Sequence, residues 1–592
     1  MAKKKAVGKT GKKTAKKIIS PHGVSIVLAG EAGQGIQSIE TLLVNVLKKD
    51  GFHVFATKEY MSRVRGGVNS TQLRVSQEPV RSYVDRMDIF IPLDGAAFER
   101  YKNKITKETA VIGDKTKLAY EKTINIPFNR IASEFGNALF SNTVAAGAVC
   151  GILGGSEEAL YDYVKSVFAR KGDEIVKSNI GAAKSGYEIG RGLKAEKIVD
   201  AGPGKKTSTK ESLLLAGADA VAIGALAGGC DACFAYPMTP STGVFTAMAG
   251  YASKAGIAVE QVEDEIGVIN MALGAWYAGG RALVSTSGGG FALMTEGISL
   301  AGIIESPVVV HLAQRPGPAT GLPTRTEQGD LNLALYAGHG VFPRIILAPG
   351  DTKQAFELSA GAFNLADKYQ VPVFVMTDQY FVDTYYDTVD IDASKAEPVR
   401  HITETKEGYK RYALTKDGFS PRGIPSFGSG LVCADSDEHD ESGRITEDLD
   451  GISKKMKDKR FKKFDAVKKA ALPPVLTGPK NYTRLVVGWG SVYNTVIEAL
   501  GLLGDRNTAF LFFPQVYPVP IAAKKYLEKA KTVIAVENNQ TGQFADLLSA
   551  DTGINISQRI LKYNGMPFSV EELVRALVKK PGKAAGKRGK NG

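Results

Sequence analysis

The stretch Tyr236-Pro-Met-Thr-Pro-Ser-Thr242 follows a short apolar run and precedes a helix-like run. Its two prolines fix the backbone of the turn, while three hydroxyl side chains, Thr239, Ser241 and Thr242, lie at the start of the helix. Plain helix capping explains one hydroxyl, whereas three hydroxyls in a proline-fixed turn favour a ligand. The stretch therefore predicts a strand, a functional turn and a helix, which is the repeating unit of an α/β fold.

An acidic helix start lies about thirty residues downstream, in Val262-Glu-Asp-Glu-Ile-Gly267. It leads into Asn270-Met-Ala-Leu-Gly-Ala-Trp-Tyr-Ala-Gly279, a helix of small residues that suits close packing. Solvated acids at a helix start stabilise the helix dipole, and this ordinary role is the alternative for Glu263 and Asp264.

Two further stretches of the same segment are rich in glycine and proline. The first is Ser285-Thr-Ser-Gly-Gly-Gly-Phe291. The second is Gln314-Arg-Pro-Gly-Pro-Ala-Thr-Gly-Leu-Pro-Thr-Arg-Thr-Glu-Gln328, which carries Arg315 and Arg325. Because arginine forks match carboxylate and phosphate groups, this long loop predicts the wall of an anion-binding site.

Alternation of short apolar strands with helix-like runs predicts a multidomain α/β protein. The predicted boundaries are a basic tail at 1–23, an α/β domain at 24–191, a linker at 192–210, a second α/β domain at 211–395, a charged connecting segment at 396–480 with a basic helix near 452–470, a third α/β domain at 481–578 and a basic tail at 579–592.

The first domain opens on a strand, the turn Gly30-Glu-Ala-Gly33-Gln-Gly35 and a helix-like run from Ile36 to Lys49. Glycines at such a turn leave amide donors at a positive helix end, where a phosphate fits. The spacing is not that of a dinucleotide fingerprint, so a glycine-dependent packing turn is the alternative. Nearby Arg63, Arg65 and Arg74 suit either an anion or a subunit contact.

Charge and cysteine usage exclude several classes of protein. The formal charge of +13 comes from the ends: residues 1–20 carry eight lysines and residues 579–592 carry six Lys and Arg, so the rest totals −1. We therefore expect disordered basic tails and no nucleic-acid site.

Four cysteines are too few for a disulfide framework, and Cys230 and Cys233 are expected to enter a buried strand rather than form a redox pair. No signal peptide or long apolar run is found, which predicts a cytoplasmic protein without a membrane span.

The second domain resembles the alpha subunit of the 2-oxoacid:ferredoxin oxidoreductases. That family carries Y-P-I-T-P-S-T, E-x-E-x-G with a small-residue helix, and G-P-S-T-G-L-P-T-R; here Met238 replaces Ile and Ala319 replaces Ser. Residues 24–190 resemble the gamma module of the family, fused in front. Residues 396–580, with Ser436-Asp-Glu-His-Asp and Glu537-Asn-Asn-Gln-Thr-Gly-Gln543, resemble the rest of the alpha subunit.

The resemblance implies a gamma-type domain, a thiamine-diphosphate (pyrimidine) domain and a transketolase C-terminal-like domain. It also implies oxidative decarboxylation of a 2-oxoacid, with transfer of the acyl group to coenzyme A and reduction of ferredoxin. By the same resemblance Glu265 is expected to meet the aminopyrimidine ring, with Tyr236 and Pro237 beside the cofactor. Thr239 and Arg325 are expected to hold the 2-oxoacid, and all three of Thr239, Glu265 and Arg325 to act in catalysis.

The family's diphosphate–magnesium signature, G-D-G followed by Asn, does not occur in the sequence, and neither do cysteines at cluster spacing. The chain is therefore expected to contribute half of an active site. A beta subunit is expected to hold Mg²⁺, the diphosphate and an iron–sulfur cluster. The favoured substrate is 2-oxoglutarate. The alternatives are an aryl-pyruvate-specific member of the superfamily and a non-catalytic assembly subunit.

Overall fold

The computed structural model describes residues 17–18, 23–62, 66–203 and 212–578. These residues divide into two units. Unit 1 extends to Leu214 and also takes in Tyr385–Asp387, and unit 2 consists of Leu215–Thr384 and the described residues from Thr388 onward. Most of the two predicted tails, Arg63, Arg65 and residues 204–210 of the predicted linker lie outside the described residues. Within the first predicted tail, which was expected to be disordered, Lys17–Ile18 form a short strand that pairs with Asp200–Ala201.

The strands form three large sheets and one short pair. In chain order they are β1 (Lys17–Ile18), β2 (Val24–Glu31), β3 (His53–Glu59), β4 (Val68–Ser76), β5 (Ile89–Pro92), β6 (Ala110–Gly113), β7 (Ile124–Asn125), β8 (Asp200–Ala201), β9 (Leu213–Ala216), β10 (Ala232–Ala235), β11 (Ala258–Gln261), β12 (Ala282–Thr286), β13 (Val308–Gln314), β14 (Ile345–Leu347), β15 (Pro372–Asp378), β16 (Tyr385–Thr388), β17 (Val475–Thr477), β18 (Arg484–Trp489), β19 (Thr508–Phe513), β20 (Gln515–Tyr517), β21 (Thr532–Glu537) and β22 (Gln558–Leu561).

The helices are α1 (Ile36–Lys49), α2 (Gly95–Tyr101), α3 (Lys115–Leu118), α4 (Phe128–Ser133), α5 (Ser141–Leu153), α6 (Glu157–Phe168), α7 (Asp173–Ala195), α8 (Gly217–Ala227), α9 (Thr242–Ala255), α10 (Glu265–Tyr277), α11 (Gly288–Leu293), α12 (Thr295–Ile303), α13 (Leu331–Tyr336), α14 (Thr352–Tyr369), α15 (Gln379–Asp383), α16 (Lys454–Lys469), α17 (Val492–Leu503), α18 (Ala523–Lys529), α19 (Gln543–Thr552) and α20 (Val570–Val578). None of these helices, within the described residues, is long and apolar enough to span a bilayer.

Unit 1 contains an eight-stranded mixed sheet in the order β7-β6-β5-β2-β4-β3-β16-β9. Strand β2 pairs in parallel with β5 and antiparallel with β4. One face of this strand shares a core with the apolar face of α1, which includes Ile26, Leu28, Leu43 and Leu47, whereas Val27 and Ala29 belong to a second cluster. The predicted helix from Ile36 to Lys49 is confirmed as α1.

Unit 2 contains a seven-stranded sheet in the order β11-β10-β12-β13-β15-β14-β20 and a five-stranded sheet in the order β17-β19-β18-β21-β22. Strands β10, β12, β13 and β15 are parallel and buried along their whole length. Such strands read as continuous apolar runs because both faces are covered. The turns that follow β10, β12 and β13 all leave from the carboxyl edge of the sheet, where ligands bind in open parallel sheets.

The segment from 396 to 448 is largely irregular and leads into α16, which confirms the predicted basic helix near 452–470. A buried ion cluster holds this helix in unit 2, because Lys459 and Lys463 both contact the fully buried Glu305. Burial alone raises the pKa of this carboxyl, but the two ammonium groups lower it well below its usual range.

The predicted strands at Val24, Ala282, Val308, Val371, Thr483 and Thr532 are all present within a residue of their predicted starts. The α/β fold class is therefore confirmed. Two details differ from the predicted boundaries. Helix α7 continues to Ala195, past the predicted start of the linker, and Tyr385–Asp387 belong to unit 1 although they lie inside the predicted second domain.

Candidate functional site

The turn Ser287–Gly290, at the start of α11, brings together residues from three motifs of unit 2. A Cβ atom added to Gly290 would lie 2.6 Å from Oε1 of Glu265. The amide of Gly290 approaches Sδ of Met238 to 3.2 Å, and the nearest atom to a Cβ at Gly289 is the carbonyl oxygen of Ala319, at 3.8 Å. The turn is therefore the point where the predicted motifs meet, and a side chain on Gly290 would collide with both Thr286 and Glu265.

Glu265 is the first residue of α10, and only 3% of its surface is exposed. Its Oε1 atom is buried and has no hydrogen-bond partner among the described residues. The neighbouring Asp264 performs the ordinary helix-start role, because its carboxylate accepts a hydrogen bond of 2.7 Å from the amide of Gly267. A carboxyl group buried without a partner carries a desolvation penalty, so Glu265 fits a group that a bound molecule engages.

The predicted turn from Tyr236 to Thr242 is held by internal hydrogen bonds. Ser241 donates to the carbonyl of Met238 at 2.6 Å, and Ser285 of β12 donates to the carbonyl of Ser241 at 3.2 Å. These bonds give Ser241 a structural role. Tyr236 and Pro237 are exposed at the start of the turn, directly after β10.

The two arginines of the loop after β13 contact different parts of unit 2. Nη1 of Arg315 donates to the carbonyl of Thr239 at 2.5 Å, so this arginine supports the predicted substrate-binding turn. Arg325 lies against the loop that follows β22, with its Nη1 atom 3.9 Å from Sδ of Met566 and its Cβ atom 3.1 Å from a Cβ built on Gly565. Arg315 is therefore part of the site although it lies outside the family motif.

The loop after β13 is fixed by the sheet of β17–β22. Gln328 donates from its side chain to the carbonyl of Trp489 at 2.8 Å and accepts from the amide of Asn538 at 2.9 Å. Asn539 donates to the carbonyl of Gln328 at 3.1 Å, and Gln543 donates to the carbonyl of Gly329 at 2.8 Å. The stretch Glu537–Gln543, noted in the sequence without a role, is a clamp on this loop.

Glu537 is itself completely buried and accepts hydrogen bonds from the amides of Phe544 and Ala545 at the start of α19.

Cys230 and Cys233 are also buried, and Cys233 lies in β10, which confirms the interpretation of this pair as the entry to a buried strand. Burial raises the pKa of the Cys230 thiol to about 12 and that of Cys233 well above its usual value.

The glycine turn of unit 1 borders a cavity of about 800 Å³. Gly33 and Gly35 both have positive φ angles, of 96° and 72°. The cavity lies between this turn, Leu139, Phe168 and Asn179. A Cβ on Gly35 would lie 2.6 Å from Nδ2 of Asn142, so the backbone and packing both require glycine there.

Of the three arginines noted in the first domain, Arg74 lies among the described residues. It is buried in β4 and donates to the carbonyl of Ser82 at 2.7 Å. This hydrogen bond makes Arg74 a structural residue of unit 1 rather than an anion ligand.

Two protein-family models match the chain. Residues 223–458 match "Pyruvate flavodoxin/ferredoxin oxidoreductase, thiamine diP-bdg", and residues 25–189 match "Pyruvate ferredoxin/flavodoxin oxidoreductase". Both models describe one class of enzyme, the oxidoreductases that pair a 2-oxoacid with an electron-carrier protein. These two segments carry the glycine turn of unit 1 and the motifs that include Thr239, Glu265 and Arg325, whereas Glu537–Gln543 lies outside them.

Individual relatives indicate which family within this class of enzyme the chain resembles. The 2-oxoacid:ferredoxin oxidoreductase subunit alpha of Sulfolobus sp is 32% identical over 94% of this chain and 96% of its own length. The 2-oxoglutarate oxidoreductase subunit KorA of Mycobacterium tuberculosis is 26% identical over 94% of this chain and 91% of its own length. The solved 2-oxoglutarate:ferredoxin oxidoreductase from Magnetococcus marinus superposes with a TM-score of 0.88 and 31% identity, over 94% of this chain and 98% of that chain. The chain belongs to the family of 2-oxoacid:ferredoxin oxidoreductase alpha subunits with a fused gamma module.

Proposed function

We propose that this chain forms half of the active site of a 2-oxoacid:ferredoxin oxidoreductase. The reaction is the oxidative decarboxylation of a 2-oxoacid to an acyl-coenzyme A and CO2, with reduction of ferredoxin. The observation that carries this proposal is the buried Glu265 carboxyl, whose Oε1 atom has no partner among the described residues, at the glycine turn where the three motifs meet. An interface without chemistry does not need a buried acid at that point.

The residues present fit thiamine diphosphate. When bound, this cofactor supplies the carbanion chemistry that decarboxylation of a 2-oxoacid requires. Glu265 would hold the aminopyrimidine ring through its free carboxyl oxygen, and Tyr236 and Pro237 would line the approach to it. A carboxyl group in that position favours the imino form of the ring and so assists proton transfer.

Thr239 and Arg325 would hold the carboxylate and keto oxygens of the 2-oxoacid. A guanidinium forms two parallel hydrogen bonds to a carboxylate, which fixes its orientation as well as its charge. Thr239 fits this role because its backbone is anchored by Arg315. Arg325 approaches from the loop that Gln328 ties to the sheet of β17–β22.

The partner would be a beta subunit that holds Mg²⁺, the diphosphate and an iron–sulfur cluster, and passes electrons to ferredoxin. The helix that begins at Glu265 exposes apolar side chains, with Ile266 51%, Met271 41% and Tyr277 40% exposed. Large exposed apolar groups on one helix are typical of a protein interface. Because they adjoin Glu265, we expect the beta subunit to cover α10 and complete the cofactor site.

We propose 2-oxoglutarate as the substrate, coenzyme A as the acyl acceptor and the cytoplasm as the location. The names of the M. tuberculosis and M. marinus proteins support the choice of substrate, and the solved M. marinus structure is described with 2-oxoglutarate, coenzyme A and succinyl-CoA bound. Aryl-pyruvates and pyruvate are the competing substrates to test.

The proposal is tested by reconstitution under anaerobic conditions. The chain is purified alone and together with the beta-type subunit from the same genome, and reduction of ferredoxin is followed with coenzyme A and each 2-oxoacid. We expect the chain alone to be colourless and inactive, and the complex to be most active with 2-oxoglutarate.

A brown, active preparation of the chain alone would contradict the division of the site between two subunits. An active complex that prefers aryl-pyruvates would replace the proposed substrate. A complex that forms but oxidises no 2-oxoacid, while Glu265→Gln changes nothing measurable in cofactor binding, would make the chain an assembly subunit.

A further inference from the structure

Asp330 ends the long loop after β13 and occupies the capping position of α13, yet its side chain makes no capping hydrogen bond. An aspartate in this position ordinarily accepts a hydrogen bond from the helix amides. Here the backbone amide of Asp330 donates to Oε1 of Gln314 at 3.0 Å, and the carboxyl group is directed elsewhere. Capping of α13 therefore does not explain the position of the Asp330 carboxyl group.

The carboxyl group of Asp330 lies against the same glycine turn as Glu265. A Cβ atom built on Gly288 would lie 2.6 Å from both Cγ and Oδ1 of Asp330, and one built on Gly290 would lie 2.6 Å from Oε1 of Glu265. The two glycines are separated by a single residue in one helical turn. Asp330 and Glu265 are therefore two carboxyl groups on either side of one turn.

Several buried polar atoms around this turn have no hydrogen-bond partner within the described part of the chain. They are Oε1 of Glu265, Oγ of Ser287 and Oδ2 of Asp330, and Nε of Arg315, whose charge acts on Asp330, also lacks a partner. Buried polar atoms in folded proteins are normally paired, so three such atoms at one turn indicate a polar ligand. Ser287 is completely buried and Glu265 almost so, which makes this a built site rather than a surface cluster.

The charges that act on Asp330 come from its own loop. Burial is the main cause that raises the pKa of Asp330, the nearby Glu327 raises it as well and Arg315 lowers it, and together they bring the pKa to about 7. The neutral acid is therefore well populated near neutral pH and donates a hydrogen bond that a carboxylate does not donate.

We propose that Asp330 is a further substrate-contacting residue, which hydrogen-bonds the anionic 2-oxoacid as a neutral carboxylic acid. This inference rests on the proposed function and deepens it. A dicarboxylic 2-oxoacid carries two negative charges, so an ionised Asp330 repels it, whereas the neutral acid attracts it. The loss of the Asp330 proton weakens binding of the substrate and leaves Glu265 in place.

The first test compares the pH dependence of kcat/KM for 2-oxoglutarate in the reconstituted wild-type complex and in Asp330→Asn. Because the neutral form binds, the wild-type value is expected to fall by about tenfold between pH 6 and pH 8, as a group with a pKa near 7 loses its proton. The introduced amide does not ionise, so the variant should lack this decline, and its change should appear in KM rather than in kcat.

The second test measures binding without turnover. The complex free of thiamine diphosphate is titrated with 2-oxoglutarate at pH 7 by calorimetry, in buffers of different ionisation enthalpy. Binding of a dianion favours the neutral form of Asp330, so the wild-type complex should take up roughly half a proton per site, and Asp330→Asn should take up none. The exposed Glu407→Gln is the matched control and should behave as the wild type.

The variant Glu327→Gln tests independently whether the pH at which kcat/KM declines follows the pKa of Asp330. Removal of the Glu327 charge lowers the pKa of Asp330, so the decline in kcat/KM should begin at a lower pH. An active complex in which Asp330→Asn retains both the decline and the proton uptake overturns the inference about Asp330 alone. A complex that is inactive with every 2-oxoacid and does not bind 2-oxoglutarate overturns the proposed function instead.

Discussion

Two glycine turns in this molecule each lead from a strand into a helix, one in each unit. In unit 1, Gly33 and Gly35 follow β2 and have positive φ angles. In unit 2, Gly288 and Gly290 follow β12 and lie inside α11, with helical backbone. The first turn needs glycine mainly for its backbone conformation, which other residues rarely adopt. The second needs glycine because side chains from elsewhere occupy the space that a Cβ would take.

The neighbours of the two turns differ in their chemistry. Gly35 of unit 1 has the amide side chain of Asn142 as its nearest neighbour, and the turn borders a largely apolar cavity. The turn of unit 2 has two carboxyl groups, Glu265 and Asp330, with Arg315 close enough to influence Asp330. Glycine-rich turns are therefore informative about function only once their neighbours are known.

The largest effect is expected for Glu265→Gln in the reconstituted complex. An amide does not assist proton transfer as a carboxyl does, so kcat should fall by about 10²–10⁴-fold while the fold is kept. The measurement is steady-state ferredoxin reduction together with thermal unfolding of the chain. Near-normal kcat would mean that the turn of unit 2, like that of unit 1, is only a packing device.

Gly290→Ala should have the next largest effect, because the new methyl group would contact Oγ1 of Thr286 and lie 2.6 Å from Oε1 of Glu265, so that these side chains must move. We expect kcat to fall by roughly tenfold or more, on the order of a misplaced catalytic group. Gly289→Ala is the matched control, since its nearest neighbours lie at 3.8 and 3.9 Å. Equal losses of kcat in the two variants would contradict a specific role for the space beside Glu265.

Gly35→Ala should affect stability rather than catalysis. The left-handed backbone and the contact with Asn142 predict a loss of about 1–2 kcal/mol in the free energy of unfolding of unit 1, measured by urea denaturation. Gly192→Ala, in α7 and with open space around it, is the control and should be neutral or stabilising. A variant at Gly35 that is fully stable but slow would assign this turn a direct role in the reaction.

Much of the fold was predictable because its strands are continuous apolar runs between glycine and proline turns. Strands β2, β12 and β21 and helix α1 follow the predicted ranges within a residue or two. The return of Tyr385–Asp387 to unit 1 was not predictable, because three residues carry no periodic signal and their pairing with β3 depends on contacts distant in sequence.

The candidate site was partly predictable. The family motifs predict the roles of Thr239, Glu265 and Arg325, and these roles stay predictions that substitution tests. Arg315 lies outside the motif, so the sequence did not assign it to the site, but its bond to the Thr239 carbonyl ties it to the same turn.

The sequence does not single out Asp330, because aspartate before a short helix normally indicates a cap. Only the missing capping bond and the approach to Gly288 distinguish it. The stretch Glu537–Gln543 was noted as a family feature, yet its role as a clamp on Gln328 and Gly329 depends on residues roughly 200 positions away in the chain.

The α/β class, the positions of the main strands and the motifs that mark the family follow from the amino-acid sequence, because they depend on local periodicity and on turn chemistry. Three-dimensional packing sets which carboxyl groups share a turn, which arginine supports Thr239 and why a side chain at Gly290 does not fit. These properties depend on distances between residues far apart in the chain. Burial then sets whether a carboxyl such as Asp330 is neutral or charged, because the cost of desolvation exists only in the folded protein.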